Sequence, residues 1–170
     1  MTYTIRTATP ADIPAFAHVE INAGELFRSV GLDDLAGDFS SPEFVMSFVQ
    51  TGGAFVAVHT DGTVAGFTLT FMLDNAIHLQ EMSVDPAHGR RGLGGRLLQA
   101  VDTWASESGC SHVTLSTFKD VHWNAPFYAR HGYQIVSPEK WTPGFHILRE
   151  HEEHAGLPVA RRCFMMKRLR

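Results

Sequence analysis

The chain has 170 residues, 44% of them hydrophobic, and a formal net charge of -4. That length suits one compact domain over residues 1–170 with room for a full core. Basic residues are dispersed apart from Arg90-Arg91 and the ends, a poor footprint for a nucleic-acid binder. No apolar run approaches the about 18 to 20 residues of a membrane-spanning helix, and the N-terminus carries no basic-then-apolar leader. Cys110 and Cys163 fit no secreted disulfide framework, so the expected setting is a reducing cytoplasm.

In chain order, Tyr3 to Thr7 alternates as a first strand, and Thr9-Pro10-Ala11-Asp12 reads as a helix cap with proline in the first turn. The helix runs to about Ala23 with Ile13, Phe16, Ala17, Val19 and Glu20 on its periodic face. A less regular segment from Gly24 to Gly37 follows, containing Glu25-Leu26-Phe27-Arg28. Ser41-Pro42-Glu43 starts a second helix, Phe44 to Gln50, which Gly52-Gly53 ends. Ala54 to His59 and Val64 to Phe71 form a hairpin across Thr60-Asp61-Gly62-Thr63, and the turn at Asp74-Asn75 leads into the next strand.

The chain is organised around Ala76 to Trp104. Ile77, Leu79, Met82 and Val84 mark a strand whose alternation slips by one residue between Leu79 and Met82, the mark of a β-bulge, and Asp85-Pro86 ends it. After HGRRGLGG comes a helix with Leu93, Leu97, Leu98, Val101, Trp104 and Ala105 at three- and four-residue steps. A strand, a glycine-rich turn and a helix start together suit phosphate: the first helical amides lack intrahelical acceptors, and Arg90 and Arg91 stand beside them. The dinucleotide fingerprint fails, because Leu97 stands where its last glycine belongs, and no G-K-[ST] makes a P-loop.

Gly109 stops this helix, His112 to Phe118 alternates as a fifth strand, Tyr133 to Val136 gives a sixth and Arg162 to Leu169 a seventh. Between the last two, Phe145 to Ala155 reads as a short helix with Phe145 and Leu148 inward and Glu150, Glu152 and Glu153 on a solvated acidic face. His151-Glu152-Glu153-His154 imitates a zinc-protease string. Its histidines are three apart where one helical face needs four, so no metal is expected. His18, His59, His88, His112 and His131 read as isolated surface or capping groups.

Two segments resemble the GCN5-related N-acetyltransferases. Gly92 and Gly94 match the small positions of the family's Q/R-x-x-G-x-G/A signature, with Gly89 where Gln or Arg is usual and arginines displaced to Arg90 and Arg91. Downstream, Asn124-Ala125-Pro126-Phe127-Tyr128-Ala129-Arg130-His131-Gly132-Tyr133 resembles the family's N-x-x-A/P-x-x-L/F-Y-x-x-x-G-F/Y segment. The resemblance implies an α/β fold: a mixed sheet of about seven strands, helices on both faces, and parallel fourth and fifth strands that splay apart. It implies acetyl-coenzyme A as cosubstrate, its pyrophosphate on backbone amides along Gly89, Arg90, Arg91, Gly92, Leu93, Gly94 and Gly95. The pantetheine arm is expected at Met82, Ser83 and Val84, with Asn124 and Phe127 completing the cofactor contacts. Glu25 and Phe27 border the acceptor pocket in this reading.

The chemistry asks for a base to take the amine proton, donors for the oxyanion and an acid for the departing thiolate, since an amine near pKa ~10.4 is mostly protonated at neutral pH. Tyr128 aligns with the tyrosine to which the family assigns thiolate protonation. For the base, Glu81, beside the slip in alternation, and His78, on the same strand, both qualify, and His122 could relay protons through water. No Cys or Ser stands in a nucleophile context, which favours direct attack by a small-molecule or peptide amine in a ternary complex. Two other classes compete: a non-catalytic acyl-coenzyme A sensor of the same fold, and a module using Arg90, Arg91 and Arg96 on nucleic-acid phosphates, disfavoured by the acidic balance. A homodimer is compatible with the chain, but no seam is legible.

Overall fold

The computed structural model describes residues 2–169. Its elements are β1 (Tyr3–Thr7), α1 (Ile13–Gly24), α2 (Pro42–Gln50), β2 (Ala54–His59), β3 (Val64–Leu73), β4 (Ala76–Val84), α3 (Leu93–Glu107), β5 (His112–Phe118), α4 (Ala125–Arg130), β6 (Gln134–Ile135), α5 (Pro143–His154) and β7 (Arg162–Arg168), with 3-10 turns between several of them. The strands form one open sheet in the order β1-β2-β3-β4-β5-β7-β6. β1–β2, β2–β3, β5–β7 and β6–β7 are antiparallel, and β4–β5 is parallel. The parallel ladder covers only Ile77↔Val113, His78↔Thr114 and Leu79↔Leu115. It stops where the alternation of the β4 sequence slips.

Local chemistry accounts for the element ends. Asp12 accepts hydrogen bonds from the Thr9 amide (2.7 Å) and hydroxyl (2.9 Å), which fixes the entry to α1 through one 3-10 turn at Pro10–Asp12. The Ser41 hydroxyl accepts from the Phe44 amide at 3.2 Å and caps α2. Asp74 and Asn75 sit in the left-handed region with φ of 49° and 64°, the two-residue turn that matches strand twist, so β3 runs two residues past the expected Phe71. β6 is shorter than Tyr133–Val136 because the Tyr133 amide turns back to donate to the Tyr128 carbonyl and leaves the ladder.

The chain divides into two compact units: one built from the chain up to Phe71 together with Gln80–Trp104, the other from Met72–Leu79 and the chain from Ala105 onward. In the first, Ile13, Phe16 and Val19 of α1 pack with Val45 and Phe48 of α2 and with Val56, Phe67 and Leu69 of the sheet, and the Phe16 and Phe67 rings lie 4.2 Å apart. In the second, Phe145 of α5 stacks on Phe164 of β7 at 4.3 Å, joined by Val136, Trp141 and Leu148. Burial of such rings contributes roughly 1.5–3 kcal/mol each.

Glu152 departs from the expected solvated face. It is 9% exposed and lies beside Arg162 (2.9 Å) and Arg149 (3.6 Å), and it accepts a hydrogen bond from the Ser116 hydroxyl. Two guanidinium groups compensate the carboxylate, so its burial is tolerated. Only Glu150 and Glu153 of the three are exposed. The histidines also correct the reading of isolated groups: the Tyr3 hydroxyl and His88 Nδ1 are hydrogen-bonded at 2.8 Å, and His59 lies 5.0 Å from the Tyr3 ring and pairs with Asp61.

Candidate active site

In the first unit, the second half of β4 carries Glu81, Met82, Ser83 and Val84, all half-buried, and runs into the glycine-rich turn. Gly66 of β3 holds that stretch in place: a Cβ there would come within 2.9 Å of the Ser83 carbonyl and 3.3 Å of Val84 Cα, so the two backbones meet closely. Asp85 then ends the strand, buried, accepting from the Ala87 amide at 2.8 Å and from Asn22 of α1 at 2.7 Å.

The turn itself is conformationally demanding. Arg90 has φ 57°, a left-handed geometry costly for a side chain with a Cβ, and Gly92 has φ 74°. The two left-handed residues stand two positions apart, on either side of Arg91, and left-handed residues within such turns point successive backbone amides toward one side, an arrangement that favours anions. The first helical hydrogen bond of α3 runs from the Arg96 amide to the Gly92 carbonyl at 3.1 Å, so the amides of Leu93, Gly94 and Gly95 precede the ladder. Leu93 is buried as the anchor, whereas Arg90, Arg91 and Gly92 are exposed and Gly89, Gly94 and Gly95 half-exposed. β1 orders this turn from behind: the Arg91 guanidinium stands 5.9 Å over the Tyr3 ring, Tyr3 binds His88, and Arg96 donates to the Tyr3 carbonyl at 2.9 Å.

Glu81 lies in a pocket of carboxyl and hydroxyl groups. Ser83 donates to its Oε1 at 3.0 Å. Burial, and then the charge and hydrogen bond of the neighbouring Glu20 carboxyl, push the Glu81 carboxyl up to about 8. Glu20 is 7% exposed and is held by Ser40, whose amide donates to both of its oxygens (3.1 and 3.0 Å) and whose hydroxyl donates to Oε1 (2.8 Å). Sequence reading placed Glu20 on the periodic face of α1 without giving it a role; a carboxylate on an apolar stripe was the available signal. Glu25 and Phe27 follow on a 3-10 turn, Phe27 half-buried and Glu25 exposed and paired with Arg28 at 2.9 Å.

In the second unit, His78 is 2% exposed and its Nδ1 is hydrogen-bonded to the Thr114 hydroxyl across the parallel ladder at 2.9 Å. Burial, with the Arg162 charge adding to it, pulls the imidazole down to about 4 and keeps it neutral. Asn124 precedes α4, and its Oδ1 accepts from the Thr117 hydroxyl at 2.6 Å, which leaves the Nδ2 hydrogens as the donors. Tyr128 is buried, its ring edge-on to Phe127 (5.4 Å) and Tyr133 (5.7 Å). Arg130 lies 5.9 Å over Phe127. The glycine turn, Glu81, Glu25 and Phe27 therefore belong to one unit, and His78, Asn124, Phe127 and Tyr128 to the other. Among the described residues no group of three or more His, Cys, Asp or Glu is placed to hold a metal, and no helix is long and apolar enough to cross a membrane.

The chain belongs to the GNAT acetyltransferase family: the profile of the Acetyltransferase (GNAT) family matches residues 26–133, including the glycine turn and the whole Asn124–Tyr133 segment. It is similar to streptothricin acetyltransferase of Streptomyces lavendulae, 27% identical over 158 residues that cover 78% of this chain and 79% of that protein. Its fold is similar to that of a GNAT acetyltransferase from Staphylococcus aureus Mu50, with a TM-score of 0.73 at 16% identity and 99% of both chains covered. It is similar also to N-acetylglutamate synthase from Neisseria gonorrhoeae complexed with coenzyme A and N-acetyl-glutamate, with a TM-score of 0.74 at 20% identity. That likeness covers 100% of this chain and 36% of the other.

Proposed function

We propose that the chain is an N-acetyltransferase that moves the acetyl group of acetyl-coenzyme A to a primary amine of a small molecule or peptide, by direct attack in a ternary complex. The observation that carries this reading is the turn at Arg90–Gly95, whose left-handed Arg90 and Gly92 open α3 as an anion cradle inside the family's own signature. The amides of Leu93, Gly94 and Gly95, with Arg90 and Arg91 beside them, suit a pyrophosphate. Met82 to Val84 offers strand backbone to the pantetheine amides, and Asn124 offers its Nδ2 hydrogens. Acetyl-coenzyme A supplies the thioester carbon.

In this account Glu81 takes the proton of the attacking amine. Its carboxylate is basic enough at neutral pH, and a base matched to the working pH transfers protons most effectively. His78 is assigned a supporting place instead, because its imidazole is buried against Thr114 and stays a weak acceptor. Tyr128 gives a proton to the departing thiolate. An acyl-enzyme route finds no support in the thiols: Cys110 and Cys163 are both buried, and burial pushes the Cys163 thiol up, away from the reactive thiolate.

The reading is tested by incubating purified protein with acetyl-coenzyme A and a panel of primary amines and measuring free thiol, corrected for hydrolysis without acceptor. Acceptor-dependent thiol release is the expected result. Binding of coenzyme A with no release for any amine class would indicate a sensor of acyl-coenzyme A, and absence of binding would remove the reading altogether.

A further inference from the structure

Tyr3 opens the edge strand β1 and is 6% exposed, yet the chain before, within and after the glycine turn converges on it. Its hydroxyl is hydrogen-bonded to His88 Nδ1 at 2.8 Å, just before the turn, and the two rings meet edge-on at 5.8 Å. The Arg91 guanidinium lies 5.9 Å over its ring, and beyond the glycines Arg96 donates to its carbonyl at 2.9 Å. His59 stands beside both, 5.0 Å from the Tyr3 ring and 6.1 Å from that of His88. Core filling alone would be served as well by phenylalanine. A buried phenol needs a polar partner, and here that partner is 85 positions away, on the residue that precedes Gly89. His88 ends the 3-10 turn Pro86–His88, and its amide donates to the Asp85 carbonyl at 2.8 Å. Two residues on, Arg90 is left-handed, a conformation that persists only where the surroundings impose it.

We propose that Tyr3 and His88 are positioning residues for the cosubstrate: their hydrogen bond, with Arg96 on the Tyr3 carbonyl, holds the glycine turn in the shape that receives the diphosphate of coenzyme A. The proposal rests on the reading of that turn as the diphosphate site. Neither side chain has to touch the ligand. The chain is fixed on both sides of Arg90, so the left-handed geometry is in place before the ligand arrives and binding does not have to order the turn. The effect is selective: the contact governs affinity for donors that carry a diphosphate and leaves the acetyl transfer itself unchanged.

The experiment compares wild type, Tyr3→Phe, His88→Ala and His88→Asn by calorimetric titration with coenzyme A and with pantetheine, which lacks the diphosphate. Steady-state rates with acetyl-coenzyme A and acetyl-pantetheine, on a primary amine that wild type turns over, separate KM from kcat. Tyr3→Phe keeps the ring under Arg91 and the carbonyl for Arg96, so it removes the hydroxyl bond alone. The Kd of coenzyme A and the KM of acetyl-coenzyme A rise by about 3- to 10-fold, the worth of one hydrogen bond, with kcat unchanged. His88→Ala gives the same rise, and combining it with Tyr3→Phe adds nothing further, because both remove one contact. His88→Asn, whose amide reaches the place of Nδ1, retains most of the affinity. Pantetheine binding and kcat/KM with acetyl-pantetheine stay at the wild-type value throughout. An equal loss with the pantetheine compounds, a loss confined to kcat, or unchanged coenzyme A affinity in Tyr3→Phe overturns the proposal, as do losses that add in the double variant. Wild type that binds coenzyme A no more tightly than pantetheine would instead remove the diphosphate site itself, and the proposal with it.

Discussion

Glu81→Gln lowers kcat/KM by about 10²- to 10⁴-fold, the range of a lost general base, with the acceptor's KM little changed. The amide is the same size and keeps a hydrogen-bond acceptor for Ser83, so the loss reads chemistry and not packing. Expressed per neutral amine, the rising limb that Glu81 ionisation would place near pH 8 disappears with it. Stability carries an independent signature of the same group. The folded value lies above the ordinary 4.5, so the stability that Glu81 contributes is fully present below about 4.5 and is lost as pH rises through about 8. Thermal melts of Glu81→Gln should lack that alkaline decline. A variant with wild-type turnover and an unchanged decline would remove Glu81 from both roles.

Tyr128→Phe is the second large effect. Phenylalanine keeps the edge-on ring contacts with Phe127 and Tyr133, so folding is retained while the hydroxyl is lost. If that hydroxyl protonates the thiolate, kcat falls by about 10²-fold with native thioesters, a general-acid contribution. The loss should shrink for an acyl donor whose thiol leaves readily without a proton. Steady-state rates with both donors decide it: an equal loss for the two would assign Tyr128 to cofactor placement instead of proton transfer.

Much of this was legible from residues in sequence. The strand, glycine turn and helix of Ala76 to Trp104 are local patterns, and the segments around Gly92 and Asn124 are contiguous, so a linear reading reaches them. The Glu20–Ser40 clamp is a contact across twenty positions with no periodic signal at Ser40, and it became visible only when the irregular segment before α2 was placed. Glu152 shows a different shortfall. It lies seven residues from Phe145 and four from Leu148, so helix periodicity alone puts it on the inward face. Its charge argues for solvent, since a buried carboxylate is expensive, and its compensating guanidinium groups, Arg149 and Arg162, are brought to it by α5 and by a strand ten residues on. His78 was ambiguous in sequence for the opposite reason: a strand histidine is equally a base or a core group until its partner, Thr114 on the neighbouring strand, is known.

The central claim is that the opening of α3 holds the diphosphate of the cosubstrate. Amide hydrogen exchange across residues 89–96, measured with and without coenzyme A, tests it most directly. The account predicts that coenzyme A slows exchange at Leu93, Gly94 and Gly95, amides that stand ahead of the helical ladder. Saturating coenzyme A that leaves exchange at those three residues unchanged would contradict it.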